Sequence, residues 1–529
     1  MKAFFSAVTR RILDLESGIY LLLVATVWLL ATAGLRPLML PDEGRYVGIA
    51  WEMLGSGDWL VPTLDGMPFF HKPPLFYWLT ALGLQIFGVN EWAGRIASTF
   101  SALLATGVVF LFIRKHAGKS LANLSVVVLI TQPFFFVGAQ FANLDMLVAA
   151  MITITIIAGA DAVLNLERGL PYRTALTVCY GFAALGVLAK GLIGFVLPGA
   201  ILLVWLLVRG KYRLIPALLP PYLIAFFLVL AAPWFIWMEK SFDGFWDYFF
   251  VYHHFRRFSE TGFNNQQAFW FYIPLLLLCT LPWSPWVFRG LSPRLLKTVK
   301  DAPIGGLMLL WTLGILIFFS LPKSKLVGYI LPALPPFACL VAQQIHGWLR
   351  SGKNDNAAAW IGASAIGAGV FCMAIIIGTS RFDPSGLQHL APTVGKTGGE
   401  NDQIVMINEY EYDLPFYFRA KRNPWVVGNW DNPEISKLDN WRKELHDAGQ
   451  FKPGKMAETL ISENEFLSRL CAHPETTYWI WGNKDFVISR YPFVVEQSIA
   501  FSFGKKALWR LNIKLARSFD WCREMPRHD

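Results

Sequence analysis

The feature that most constrains this chain is the recurrence of apolar runs long enough to cross hydrocarbon, at residues 19–35, 93–113, 119–138, 145–163, 191–208, 214–238, 303–320 and 357–379. A bilayer core about 30 Å thick asks for roughly 20 apolar residues per helical crossing. Inside it, only segments that satisfy their own backbone hydrogen bonds are tolerated. The pattern therefore predicts a polytopic α-helical membrane protein over the first 380 residues. A hydrophobic content of 54% and a mean hydropathy of +0.42 agree. The first run is long and is followed by "GLRPLML", a poor cleavage site, so it reads as a retained helix rather than a signal peptide.

The net charge of +10 raises nucleic acid as a partner, and its distribution excludes that reading. Residues 1–380 carry 27 Lys+Arg against 17 Asp+Glu, whereas residues 381–529 carry 20 of each. The excess belongs to the membrane part, where basic loops set topology. Lys2, Arg10 and Arg11 place the amino terminus in the cytoplasm. The short basic loops at 114–119, 167–173, 209–213, 289–300 and 350–354 then all fall on the same side, provided that 74–89 does not span. That segment starts at Pro73-Pro74 and reads as an interfacial helix. The alternation gives about eleven spans.

The tail, 381–529, is predicted to be a small α/β domain on the outer side. Its apolar segments are short, as in "QIVMIN" (403–408) and "TYWIWGNKDFVIS" (477–489), with polar helical patterns such as 464–473 between them. The expected division is 1–380, a transmembrane domain with a large first outer loop at 36–92, and 381–529. Cys471 and Cys522 lie in the tail and would pair in an oxidising compartment.

Charge gathers on the outer side. Asp42 and Glu43 are adjacent in the first loop, near Arg45, and either carboxylate could act as a base or orient a nucleophile. His71-Lys72 precedes Pro-Pro, which fixes the backbone, and the lysine offers a compact cation to a phosphate oxygen. Asp145 opens an apolar run, where a helix-cap role is the simpler reading. "HHFRR" (253–257) and "KSKLVGY" (323–329) add His253, His254, Arg256, Arg257, Lys323, Lys325 and Tyr329. Interfacial lysine or plain helix-end charge accounts for any one of these. Together they suit a lipid whose tail lies among helices and whose phosphate meets Lys and Arg.

These stretches resemble one family. "PDEGRY", "FFHKPPLFYW", "NLDM", "LAKG", "YFFVYHHFRRF" and "LPKSKLVGYILP" occur in the order seen in the ArnT-like aminoarabinose transferases of lipid A. These belong with the polyprenyl-phosphate-sugar-dependent membrane glycosyltransferases related to protein O-mannosyltransferases. The resemblance implies a GT-C-type fold of about 11–13 transmembrane helices. It also implies inverting transfer of a sugar from undecaprenyl phosphate to lipid A or a related glycolipid, at the periplasmic face of a bacterial inner membrane. It assigns catalytic roles to Asp42, Glu43 and Asp145, and contacts with the donor phosphate to Lys72, Arg257, Tyr329, Arg45 and Lys190.

Two departures stand out. His71 occupies a position where the family commonly has Glu, and His253 occupies another. His71 with His253 or His254 would make a nitrogen-rich site that zinc accepts, so a divalent metal is an expected cofactor only through this resemblance. The tail also begins early for the family. A protein mannosyltransferase-like activity is the nearest alternative. A transporter of lipid-linked glycans would carry polar groups at mid-membrane, and these spans are nearly charge-free there.

Overall fold

The structure is a computed structural model. It describes the chain except residues 15–17, 257–264, 289–301, 351–355, 382–385, 390–398, 400, 438, 495–498, 513–521 and 523–529, and gives the backbone alone for 253–256. In chain order the main helices are α1 (Lys2–Asp14), α2 (Ile19–Thr32), α3 (Asp42–Ser56), α4 (Leu75–Phe87), α5 (Glu91–Ala117), α6 (Lys119–Thr131), α7 (Pro133–Ala139) and α8 (Leu144–Glu167). They continue with α9 (Arg173–Lys190), α10 (Ile193–Val208), α11 (Pro221–Ser241), α12 (Tyr272–Cys279), α13 (Pro303–Ser320), α14 (Leu334–Arg350) and α15 (Ala357–Ser380). The chain divides into two compact units. One comprises Met1–Arg36, His71–Gly83 and Asn90–Arg381, and the other comprises Pro37–Phe70, Leu84–Val89 and Phe382–Asp529.

The first is the membrane unit. Six of its helical segments are long and apolar enough to cross a bilayer among the described residues, and bent pairs raise that to eight. Leu75–Phe87 and Ile193–Val208 are shorter apolar helices, and the first of these is the short segment expected at 74–89. The break between α6 and α7 falls at Gln132-Pro133. The ring of Pro133 disfavours helical geometry at Gln132, which adopts φ −65°, ψ 119°. Helix α8 is the axis of the unit, buried along nearly its whole length. It packs against α5, α9 and α10. Helices α9 and α10 meet backbone to backbone, since a Cβ on Gly194 would lie 2.1 Å from the Gly186 carbonyl carbon. Glycine at both positions is what lets two apolar helices approach so closely.

The second unit contains the first outer loop and the tail. Its six-stranded sheet comprises β3 (Asp402–Ile407), β4 (Trp425–Val427), β5 (Leu460–Ile461), β6 (Thr477–Asn483), β7 (Ile499–Phe503) and β8 (Lys506–Asn512), in the order β5-β4-β3-β6-β8-β7. The first four strands pair in parallel and the last two add antiparallel. β3 is buried from Gln403 to Ile407, as a parallel strand covered on both faces must be. Val405, Ile407, Ile461, Phe466, Tyr478 and Trp509 form part of the core. A disulfide joins Cys471 to Cys522.

Helix α3 packs on the tail through Gly44 and Gly48. A Cβ at Gly44 would meet Asp413 N at 3.1 Å, and one at Gly48 would meet Tyr412 O at 3.1 Å. The first loop is therefore more than a connection between spans. Its helix is part of the tail's fold.

Candidate functional site

The candidate residues fall in both units. In the membrane unit, Asp145 sits in the first turn of α8, where the positive helix end favours a carboxylate. The side chain of Asn143 caps the helix and accepts from Asp145 N at 2.6 Å. Lys190 occupies the last turn of α9, where a cation is favoured for the opposite reason. Its ammonium donates to Asp145 Oδ1 and lies 4.4 Å from the centre of the Tyr329 ring. Tyr329 stacks in turn on Phe319, with centroids 5.0 Å apart. The side chains of Asp145 and Lys190 are 11% and 13% exposed, so the pair is nearly closed to solvent but reachable.

Gly328 makes room for this pair. A Cβ there would lie 2.2 Å from Asp145 Oδ2. Lys325 is buried and donates to the carbonyls of Gln267 and Pro322, so it braces the hairpin before Tyr329. Lys323 is exposed. The ring of His71 lies 6.0 Å from that of Tyr248, and Lys72 follows it, half-buried.

In the second unit, Asp42 and Glu43 have opposite fates. Glu43 is fully buried and accepts from its own upstream backbone, Met39 N, at 2.8 Å. Asp42 is 43% exposed and accepts from Arg45 Nη2 at 2.6 Å. The other guanidinium nitrogen of Arg45 donates to Glu444, on the tail helix Trp441–Gln450. Tyr412 completes the line by donating to Glu444 Oε2 at 2.5 Å. Burial first, and then the Glu444 carboxylate, push the Tyr412 hydroxyl well above its usual pKa. It therefore stays a donor. The arrangement is a relay of fixed charges that holds one exposed carboxylate, Asp42, in one orientation.

The structure thus joins Asp145, Lys190 and Tyr329 into one cluster, and Asp42 and Arg45 into another. His253 and His254 have only their backbone described, within the helical segment Asp247–Arg256, and Arg257 lies outside the described residues. Among the described residues, no three His, Cys, Asp or Glu side chains converge as metal ligands would. Sequence reasoning missed Glu444, Tyr412 and Gly328. Glu444 alone had a local signal, an Asn440 cap marking its helix.

The comparisons with known proteins fit this geometry. The family described as dolichyl-phosphate-mannose-protein mannosyltransferase matches residues 71–237. A protein of Erwinia tasmaniensis named undecaprenyl phosphate-alpha-4-amino-4-deoxy-L-arabinose arabinosyl transferase is 34% identical over 334 residues, 61% of this chain and 58% of that protein. The chain spans about three fifths of the length of the curated relatives it matches. The crystal structure of ArnT from Cupriavidus metallidurans in the apo state superposes with a TM-score of 0.76 at 22% identity, covering 94% of this chain and 98% of that one. The same protein bound to undecaprenyl phosphate gives 0.74, covering 93% and 97%.

The fold is therefore that of a multi-span GT-C-type membrane protein with a C-terminal sheet domain. Within that class, the chain is similar to the ArnT-like transferases, at 31–34% identity over about three fifths of their length.

Proposed function

We propose that the protein is an inverting glycosyltransferase that moves a sugar from an undecaprenyl-phosphate carrier to lipid A or a related envelope glycolipid. The observation that carries the reading is the 334-residue match to a relative whose name specifies that carrier and a 4-amino-4-deoxyarabinose. The disulfide Cys471–Cys522 supports a tail in an oxidising compartment. Asp42 and Asp145 are accordingly assigned to the periplasmic face of a bacterial inner membrane.

In the reaction an acceptor oxygen attacks the anomeric carbon, and the bond to the carrier phosphate breaks with its electron pair passing to the phosphate. Charge grows on that leaving group, so cations fixed beforehand lower the barrier. Lys72, Arg257 and Tyr329 are assigned this role by their places in the family's motifs. Lys190 is held by Asp145 against the Tyr329 ring and keeps that ring in place. Asp42 is assigned the task of steadying positive charge at the anomeric carbon. Arg45 and Glu43 are assigned positioning tasks, because Arg45 is already paired with two carboxylates and Glu43 is turned onto its own backbone. Where the acceptor is a phosphate of lipid A, no base is required. His71, His253 and His254 are the donor set that a zinc ion would take, and no step here passes through it.

The family description that covers residues 71–237 favours one second reading, transfer to a protein hydroxyl. Asp42 would then be the general base. Mass spectrometry of lipid A from cells lacking other such transferases, with and without this chain, separates the two. A gain of one aminopentose that disappears in Asp42→Asn supports the proposal. Unchanged lipid A alongside newly glycosylated envelope protein supports the alternative.

A further inference from the structure

At the opposite end of α8 from Asp145, roughly 35 Å away by helical rise, the membrane unit holds a cavity of about 270 Å³. It is lined by His116 at the end of α5, Leu164 and Arg168 at the end of α8, residues 302–305 at the start of α13, and Gln343 of α14. The activity proposed above uses none of these residues.

Three observations point to one ligand chemistry. First, the side chain of His116 is fully buried. Its Nε2 lies 2.6 Å from Asp161 Oδ1, and its Nδ1 is buried with no partner. Burying an imidazole nitrogen without a partner is unfavourable, and here that nitrogen belongs to a ring on a cavity wall. Second, α13 starts at this cavity with no side-chain cap on Ala302 and with Pro303 in its first turn. Helix geometry leaves the N–H groups of Ile304 and Gly305 without intrahelical acceptors, at the positive end of an 18-residue helix. Third, the polar groups added by the walls are a guanidinium, Arg168, and an amide, Gln343. The Gln343 Oε1 lies 3.3 Å from where a Gly305 Cβ would be, which places the amide at the same helix start.

A helix start, a guanidinium and a buried imidazole make a set of donors for an anion. An anion seated in the cavity would favour a second proton on this ring, whose Nδ1–H would then donate to an anion oxygen while Nε2–H donates to Asp161. We propose that this cavity binds a phosphate group at the face of the membrane unit away from Asp145, carried either by an anionic phospholipid headgroup or by free phosphate. Arg168 on its wall is exposed, as are Arg114 and Lys115, which precede His116 on α5. Cations at such a loop end attract anionic headgroups.

The test uses the full purified chain in nanodiscs. One arm compares phosphatidylcholine alone with a phosphatidylglycerol mixture and counts retained phosphatidylglycerol by native mass spectrometry. The other titrates inorganic phosphate into phosphatidylcholine nanodiscs and follows the melting midpoint. Arg168→Gln tests the exposed wall and His116→Gln the buried one. Retention of phosphatidylglycerol that falls about tenfold in Arg168→Gln, as loss of a charge-assisted hydrogen bond would give, assigns the site to a lipid headgroup. A phosphate-dependent rise in midpoint that Arg168→Gln removes assigns it to the free anion. Equal behaviour of wild type and Arg168→Gln toward both probes overturns the proposal, whatever the folding of His116→Gln.

Discussion

Helix α8 carries a carboxylate cluster at each end, and the two are built differently. At its start, Asp145 has one cationic partner, Lys190, packed under the Tyr329 ring and almost closed to solvent. At its finish, cations outnumber carboxylates. Lys115 and His116 share Asp161, while Arg209 and Lys211 share Glu167. There the lysines are about half exposed, Lys115 at 46% and Lys211 at 47%. The lysines of the second cluster are what a topology signal looks like, since water screens them, while His116 and Arg209 are buried beside their carboxylates. The first is a built pair, in which each charge depends on the other because little water can replace it. On the proposed function, the difference separates exposed lysines that orient a chain in a bilayer from a closed pair that holds a reacting geometry.

The comparison breaks most readily at Lys190. Lys190→Ala leaves a nearly buried carboxylate without its partner, a change that costs about 3–5 kcal/mol when the pair is closed. Unfolding in detergent should show that loss, and sugar transfer should vanish. The double change Asp145→Leu with Lys190→Met should recover much of the stability, since apolar replacement of an ion pair is often neutral, but none of the transfer. Recovery of both would reduce the pair to a structural brace.

Gly328→Ala is expected to have the next largest effect. Its new Cβ would sit 2.2 Å from Asp145 Oδ2, and forcing a methyl into a packed site costs about 1–3 kcal/mol. Transfer should fall with it. Gly347→Ala, where a Cβ would meet nothing within 4 Å, is the control that should leave both unchanged. At the far end of α8, Lys115→Ala should cost at most about 1 kcal/mol, the range of an exposed ion pair. Transfer there should equal wild type. A large loss in Lys115→Ala would erase the distinction between the two ends.

A carboxylate of the second unit sharpens the contrast, because it is half-buried and, among the described residues, forms no ion pair. Glu52 on α3 accepts from Thr63 Oγ1 at 2.9 Å, Asp65 N at 2.7 Å and Gly66 N at 2.9 Å, so it holds the turn between β1 (Thr63–Leu64) and β2 (Met67–Pro68). Burial raises Glu52 from 4.5 to about 7, against the opposing pull of the two backbone donors. Burial and then Glu52 raise Asp65 as well. A carboxyl raised in the folded state favours the fold while it is neutral. Its contribution is full below about pH 4.5 and is lost as pH rises through about 7. The melting midpoint of the second unit should therefore fall between pH 5 and pH 8, and Glu52→Gln should flatten that slope. An unchanged slope in Glu52→Gln would assign the dependence to another group.

Much of this was legible because it is local. The apolar runs gave the spans, the short apolar segments at 403–408 and 477–489 gave two central strands, and the tail cysteines gave the disulfide. Asp145 was readable as a helix-start carboxylate, which it is. Its second task was not, because Lys190 and Gly328 reach it only through tertiary packing. The division of labour between Asp42 and Glu43 was hidden for a related reason. Adjacent helix residues point about 100° apart, and which of them faces inward is decided by the tail that α3 packs on. Arg45 looked like a free cation for a phosphate until Glu444, 399 residues away, proved to be its partner. Glu52 carries no local signal, since the turn that it holds forms only with the fold.

The most direct test of the central claim, that the carrier phosphate is met at the Asp145 end of α8 and not at the Asp161 end, is undecaprenyl phosphate retention by the purified full chain, measured by native mass spectrometry. Wild type and Lys115→Ala should hold the lipid equally, while Lys72→Ala and Tyr329→Phe should hold it at least about tenfold less, as loss of a charged or hydrogen-bonded phosphate contact implies. Equal retention by all four proteins, or a loss confined to Lys115→Ala, would contradict the account.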